Sequence, residues 1–498
     1  MVLFNPFCLL LILIGVVIGI IFGSIPGLSS TMALILFLPM SFGMEPMNGI
    51  ALLIGLYLGG MSGGLISAIL LKIPGTPSSI ATVFDGGPMA EKGEAGKAIG
   101  IGILTSFVGG LISILALMFI SPYLAKVTLA FTSAEYFSIA LFALTIISSL
   151  SGTSLINGIL SGFLGIALSL VGIAPIDGAI RFTFGQSKLY GGFSQVVILI
   201  GVYAVTDIIR TGFERKGIIG TSANKSYKME GLYGIRIGDY LKRWVNIIRS
   251  ALIGLGIGIL PGIGGSTASL LAYTAAKNSS KHPETFGTGE VDGLIASETS
   301  NNAVIGGSLI PLITMGIPGN VATAVFLGGL TIHGISPGPL VFMKSGQYVY
   351  GIFIALIVAN IFMLIVERAG LSAFVKLLDI PKYYLLPVVL VCCVIGAYCA
   401  NFSTFDVYSV FVFGLIGVLF KYLKIPATPM IIGFILGDMT ETNFRQALMQ
   451  TGGSWSIFVT RPISLIFLIV ALGSVVMTIR KQIVNRKAGK IVEEEEES

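Results

Sequence analysis

The chain is poor in charge. Only 11% of its 498 residues are Asp, Glu, Lys or Arg, where a soluble domain carries about 25%, so an ordinary water-exposed surface is excluded. Cysteine is scarce too. Cys8, Cys392, Cys393 and Cys399 all lie in apolar runs without the paired spacing of a metal site, and they read as small lipid- or core-facing residues. Two histidines, His282 and His333, are the only imidazoles. No G-x-x-x-x-G-K-[ST] phosphate loop occurs, so nothing points to ATP as the energy source.

What the chain has instead is apolar length. Hydrophobic residues make up 54% and the mean hydropathy is +0.94. Apolar runs cover 7–22, 99–120, 136–150, 155–173, 195–209, 346–366, 384–399, 405–420 and 462–479. Several approach the ~20 residues a helix needs to cross a bilayer. The expected fold is an all-α polytopic membrane protein. The first run lacks a basic n-region and a small-x-small cleavage site, so it reads as a membrane helix rather than a secretory signal.

The net charge of +6 points to topology rather than to nucleic acid. From Arg210 to Arg249 there are nine Lys and Arg against Glu214, Glu230 and Asp239, which marks a cytoplasmic loop by the positive-inside rule. The C-terminal RKQIVNRKAGKIVEEEEES is basic at its membrane end and is also placed inside, with the glutamate run as a solvated tail.

The chain repeats itself. GSIPGLSSTMA (23–33) aligns with GILPGIGGSTA (258–268), and GGLISAILLKIPGTPSS (63–79) aligns with GGSLIPLITMGIPGNVAT (306–323) with one gap. Two homologous transmembrane repeats follow, 1–210 and 246–480, with a basic cytoplasmic linker at 211–245 and a charged cytoplasmic tail at 481–498. Repeats of this kind build secondary transporters, with the site on broken helices where the repeats meet. The repeats are parallel or inverted, and short pieces such as 263–277 and 303–316 are candidates for re-entrant segments.

Four Pro-Gly breaks carry the chemistry: Pro26-Gly27, Pro74-Gly75, Pro261-Gly262 and Pro318-Gly319. Proline removes a backbone donor and glycine permits a turn. Such backbone survives at membrane depth only when buried in protein or lining a wet cavity. Polar or glycine-rich restarts follow each break: Ser29, Ser30 and Thr31; Thr76, Ser78 and Ser79; Gly264, Gly265, Ser266 and Thr267; Asn320 and Thr323. Restarting helices offer free amides to a carboxylate, and hydroxyls with unwound carbonyls suit a hard cation such as sodium. A single break would read as a kink; four at matching places read as a site. Lys72, just before the second break, either meets a substrate carboxylate or snorkels to an interface. In SETSNNA (297–303), Asn301 and Asn302 either supply ligands or cap a helix. Asp85 reads as a cap or turn residue.

These stretches resemble the large membrane subunit of the tripartite tricarboxylate transporters, the TctA family. The resemblance rests on GSIPGLSSTMALILFLPMSFG, GLYLGGMSGGLISAILLKIPGTPSSIATVFDGGPMAEKGEAGKA, GILPGIGGSTASLLAY and FGTGEVDGLIASETSNNAVIGGSLIPLITMGIPGNVATAVFLGGLTIHGISPGPLVF, in that order over nearly the whole chain. It implies a permease of the bacterial cytoplasmic membrane that imports tricarboxylates or related carboxylates. It also implies an extracytoplasmic substrate-binding protein, a small membrane subunit, and coupling to sodium or protons. No cofactor and no fixed metal site are expected; Na+ enters only as a candidate coupling ion. The sequence departs from the family's usual pattern at Lys72, where asparagine is common, and at Gly87, where tyrosine is common.

Two other functional classes fit the same sequence less well. GMSG (60–63) matches the G-x-S-G of rhomboid-type intramembrane serine proteases, for which only His333 is placed to act as base. His333 reads better as a polar residue satisfied by neighbouring backbone. An ion channel would need a selectivity filter, and no TVGYG-like stretch or ring of acids is present.

Overall fold

The structure is a computed structural model, and it describes residues 5–150, 155–213, 233–377 and 382–487. The protein is an all-α polytopic membrane protein. Among the described residues, six helices are long and apolar enough to cross a membrane: Pro6–Ser24, Pro46–Leu70, Ala95–Thr128, Gly346–Lys376, Thr404–Tyr422 and Pro462–Arg480. Most of the basic linker (214–232) and the last part of the tail (488–498) lie outside the described residues. The chain forms two compact units, one from 1–129 with 194–418 and the other from 130–193 with 419–498, so each unit takes segments from both sequence halves.

The first unit contains helices α1 (Pro6–Ser24), α2 (Ser30–Ser41), α3 (Pro46–Leu70), α4 (Ile80–Glu91) and α5 (Ala95–Thr128). From the second half of the chain it takes α6 (Trp244–Ile259), α7 (Gly264–Ser279), α8 (Val291–Met315), α9 (Val321–Ile332) and α10 (Gly346–Leu377). At its centre α3 is buried from Met47 to Ile69 and α8 from Gly293 to Thr314. Helices buried on every side normally carry only apolar residues; these two also carry Tyr57, Ser62, Ser67, Glu298, Asn301, Asn302 and Ser308.

Small residues let the backbones meet. Gly15 and Gly19 of α1 face the Leu52 and Leu56 carbonyls of α3, and Gly55 faces the Ile12 carbonyl in return. Gly254 and Gly258 of α6 lie in the same manner against Ser300, Val304 and Gly307 of α8. Lipid tails are as apolar as leucine, so helices in a membrane gain from close packing rather than from leaving water, and glycine spaced by four permits it.

Each break ends one helix and caps the next. Beyond α3, Lys72 adopts φ 55°, and beyond α8, Gly316 adopts φ 75°; both are left-handed turns that close a helix. Gly75 then packs against the Gly23 carbonyl and Gly64, and Gly319 against the Gly258 carbonyl and Ser308, leaving no room for a β-carbon. Side chains cap the restarts after the first, second and fourth breaks, while α7 starts without one. Ser29 accepts from the Met32 amide at 3.1 Å, and Asn320 and Thr323 exchange bonds of 2.9 Å. The Ser79 hydroxyl accepts from the Thr76 amide at 3.3 Å. Residues 264–277 do fall within a separate helix, α7, with Ile263 at its N-cap, but 303–316 is no separate segment: 303–315 continues the 25-residue α8 and Gly316 caps it. The apolar SLIPLITM run simply extends a helix that began in polar sequence.

The second unit contains the helices Ser133–Leu150, Leu155–Ser169, Ala427–Gln450 and Pro462–Lys487. It also holds a two-stranded antiparallel ribbon pairing Gly172 with Arg181 and Ile173 with Ile180. Gly165 abuts the Met430 carbonyl and Gly433 the Gly162 carbonyl, again a seam of small residues. Arg181 holds Glu441 through bonds of 2.6 and 2.9 Å, and Arg445 bonds both Glu441 and Asp177. The Arg445 guanidinium, bonded to Asp177, holds that carboxyl below the usual carboxylate range.

Candidate functional site

Three of the four breaks converge on Met61 of α3. Ser30, from the first, points its hydroxyl at the Met61 sulfur at 3.6 Å, and Ser78, from the second, approaches the same sulfur at 4.0 Å. Asn301 of α8 donates its amide to the Met61 carbonyl at 3.4 Å. Gly265, at the start of α7, completes the group. The position of an added β-carbon there would lie 2.6 Å from the Ser78 β-carbon and 3.5 Å from Asn301 Oδ1. Thr76 joins through Ser78, hydroxyl to hydroxyl, at 3.2 Å. Ser30, Thr76, Ser78 and Asn301 are all buried. The fourth break reaches α3 one turn earlier: Asn320 donates to the Tyr57 hydroxyl at 3.1 Å, which meets Ser308 at 3.2 Å.

The expected site residues therefore divide by what their polar atoms already do. Ser29, Ser79, Thr323 and the Asn320 carbonyl are engaged in helix caps. Thr31, Ser266 and Thr267 are half-buried, and Thr267 bonds back to the Ile263 carbonyl at 3.3 Å. Pro26, Pro74, Pro261 and Pro318, with Gly27, Gly75, Gly262, Gly264 and Gly319, shape the turns; Gly27, Gly262 and Gly264 sit at φ 89°, 77° and 75°. The Gly262 amide donates to the Gly319 carbonyl at 2.7 Å, which ties the third break to the fourth. Ser30, Thr76, Ser78 and Asn301 remain as the polar side chains gathered at one place.

Asn301 and Asn302 lie well inside α8, not at its start. The cap reading of these residues gives way to a buried one: Asn302 donates to the Glu298 carbonyl at 3.3 Å, and both asparagine Oδ1 atoms lack a hydrogen-bond partner. Lys72 is exposed and its ammonium pairs with Glu91, while its stem lies over Gly87. Lys72 and Gly87 are thus in contact. Asp85 is buried, and its Oδ1 accepts from the amides of Gly287, Gly289 and Glu290 at 2.8 to 2.9 Å, tying α4 to the loop that leads into α8. Ser62 and His333 are not paired. Ser62 donates to Glu367 at 2.8 Å, and His333 meets the Ser41 hydroxyl at 3.2 Å, a side-chain partner where backbone had been expected. No cluster of three or more His, Cys, Asp or Glu fit to hold a metal ion occurs among the described residues.

Glu367 is the polar residue that sequence reading missed. The apolar run 346–366 stops just short of it. The helix in fact runs on to Leu377, which leaves Glu367 buried.

Comparison with known proteins agrees with this architecture. The model of the tripartite tricarboxylate transporter TctA family matches residues 9–432. The chain belongs to that family. An uncharacterized 52.8 kDa protein from the TAR-I ttuC' 3' region of Agrobacterium vitis is 34% identical over 484 residues, 97% of this chain and 95% of the relative. An uncharacterized protein from the TAR-II ttuC' 3' region of the same organism is 33% identical over 239 residues, 48% of this chain and 99% of the relative. No solved structure matches. As a TctA family member the chain is a subunit of a tripartite transport system, and with six helices fit to span a bilayer it is a multi-pass membrane protein.

Proposed function

We propose that this TctA family permease imports a tricarboxylate or related carboxylate across the bacterial cytoplasmic membrane, driven by a sodium or proton gradient. An extracytoplasmic binding protein delivers the substrate and a small membrane subunit accompanies the permease. The observation that carries the reading is the convergence of three broken helices on Met61, with the buried hydroxyls of Ser30, Thr76 and Ser78 and the restart of α7 at Gly264–Gly265. A helix restart presents free amides and a positive dipole end to an anion, and irregular backbone at membrane depth belongs where a site is lined. The two halves act as structural repeats, a reading supported by matching left-handed caps at Lys72 and Gly316 and matching close approaches at Gly75 and Gly319. The rhomboid-type protease reading is not favoured: the G-x-S-G serine bonds a carboxylate rather than a histidine.

The test is uptake of labelled di- and tricarboxylates by vesicles holding the permease and its small subunit, with and without the binding protein. Uptake should depend on the binding protein and collapse with the cation gradient. Equal uptake without the binding protein would remove that partner from the account.

A further inference from the structure

Glu298 and Glu367 are both completely buried in the first unit. Glu298, on α8, accepts from Thr82 of α4, from Ser106 of α5 at 3.0 Å and from the Asn301 amide at 3.5 Å. Glu367, on α10, accepts from Ser62 on Oε2 alone, at 2.8 Å, and its Oε1 has no partner. Neither carboxyl bonds the other. α3 links them: the Met61 carbonyl takes the Asn301 amide, and the next residue, Ser62, holds Glu367. Asn301 adds a second unsatisfied atom, since it gives its amide to Glu298 and Met61 while its buried Oδ1 goes unpartnered. Among the described residues, the groups bonded to the pair are neutral hydroxyls and an amide, and no Lys or Arg bonds either carboxyl.

A buried carboxylate without a cationic partner gives up its charge rather than bear the desolvation cost. The donors divide unequally between them. Three reach Glu298, and hydrogen bonds given to a carboxylate favour its charged form. Glu367 has one donor and a bare oxygen, so it is the carboxyl less able to hold a charge. We propose that Glu298 and Glu367 form a buried carboxyl site in which Glu367 takes up and releases a proton. The step makes and breaks one O–H bond on Glu367, with water as donor on one side of the membrane and acceptor on the other. A hard cation would need about six oxygen ligands, whereas Glu367 has the Ser62 hydroxyl alone and the hydroxyls beside Glu298 already donate to it. Asn301 touches both Glu298 and the Met61 cluster, so protonation of the pair would be felt where the broken helices meet. That coupling role rests on the carrier reading above; the proton site itself does not.

Infrared difference spectra of the purified protein in lipid vesicles, taken across an acid–base titration in H2O and D2O, read protonated carboxyls without any substrate. Wild type should show a deuterium-sensitive carboxylic C=O band that titrates, is lost in Glu367→Gln and is kept in Glu91→Gln, an exposed site. Ser62→Ala removes the donor to Glu367 but not its carboxyl, so the same band should titrate at higher pH. The proposal is overturned if the wild-type minus Glu367→Gln spectrum holds no carboxylic band, or if Ser62→Ala leaves its midpoint in place. Replacing KCl by NaCl should leave the band unmoved; loss of the band in sodium would overturn the proton as occupant. A failure of carboxylate uptake would sink the carrier reading while leaving these spectra to decide the site.

Discussion

Lys72 and Gly316 close the two central helices in the same left-handed turn, at φ 55° and 75°. For glycine this conformation is free of strain, while a side chain there costs about 1–2 kcal/mol. Lysine is held in it by its Glu91 partner and by the bed that Gly87 leaves for its stem. Lys72→Gly should therefore raise the unfolding midpoint in detergent, a gain of about 1 kcal/mol after the exposed ion pair, worth 0–1 kcal/mol, is lost. Lys72→Met keeps the strain and loses the pair, so it should be no more stable than wild type. If the ammonium instead met substrate, Lys72→Met would weaken apparent affinity roughly ten- to a hundred-fold; with the charge engaged by Glu91, affinity should stay unchanged.

Asp85 bears on folding rather than on transport chemistry. Its Oδ1 accepts three backbone amides, and leaving a buried donor unmet costs about 1–3 kcal/mol each. Asp85→Ala should sharply lower the yield of folded protein and expose residues 286–290 to protease. Asp85→Asn keeps one acceptor oxygen and should fall between. Wild-type behaviour of Asp85→Ala would show that the latch is dispensable.

The glycine seams should discriminate by position. An added β-carbon at Gly19 would stand 2.5 Å from the Leu56 carbonyl, while one at Gly43 would meet nothing within 4 Å. Gly19→Ala should destabilise by about 1–3 kcal/mol through forced backbone shifts, and Gly43→Ala should be close to neutral, both read as unfolding midpoints.

In the second unit, Arg445 lowers the Asp177 carboxyl below its usual range. The sign follows from the depressed folded value: the contact is intact above the ordinary carboxylate value of about 4 and is lost as pH falls through the lower folded one. Hydrogen exchange of the ribbon 172–181, corrected for intrinsic rates, should accelerate only below about pH 4. In Arg445→Gln it should be fast at neutral pH as well. Arg181→Lys, which gives up the two-pronged grip on Glu441, should loosen the same ribbon.

Much of this architecture was legible in sequence because lipid imposes a simple rule. Five of the nine apolar runs fall in helices fit to span a bilayer, while the central Pro46–Leu70, rich in glycine, lay outside them; Pro-Gly pairs became breaks, with Ser29, Asn320 and Thr323 capping two of the restarts. What sequence did not show is which polar atoms the caps consume and which converge. Ser79 and Ser78 are neighbours of the same kind, yet one closes a turn on Thr76 and the other faces Met61. Asn301 and Asn302 suggested a helix start because polar residues cluster at caps; only the burial of α8 among other helices turns them inward. Glu367 escaped notice because its partner Ser62 is 305 residues away in the chain, a distance that no local pattern spans.

The most direct measurement is gradient-driven accumulation. Vesicles holding the permease, its small subunit and the binding protein, loaded with buffer and given an inward proton or sodium gradient, should concentrate labelled citrate or a related carboxylate above its outside level. Ser78→Ala and Asn301→Ala should reduce that accumulation, and an ionophore should abolish it. Carboxylate flux that ignores both gradients, or unitary currents in place of saturable uptake, would contradict the account.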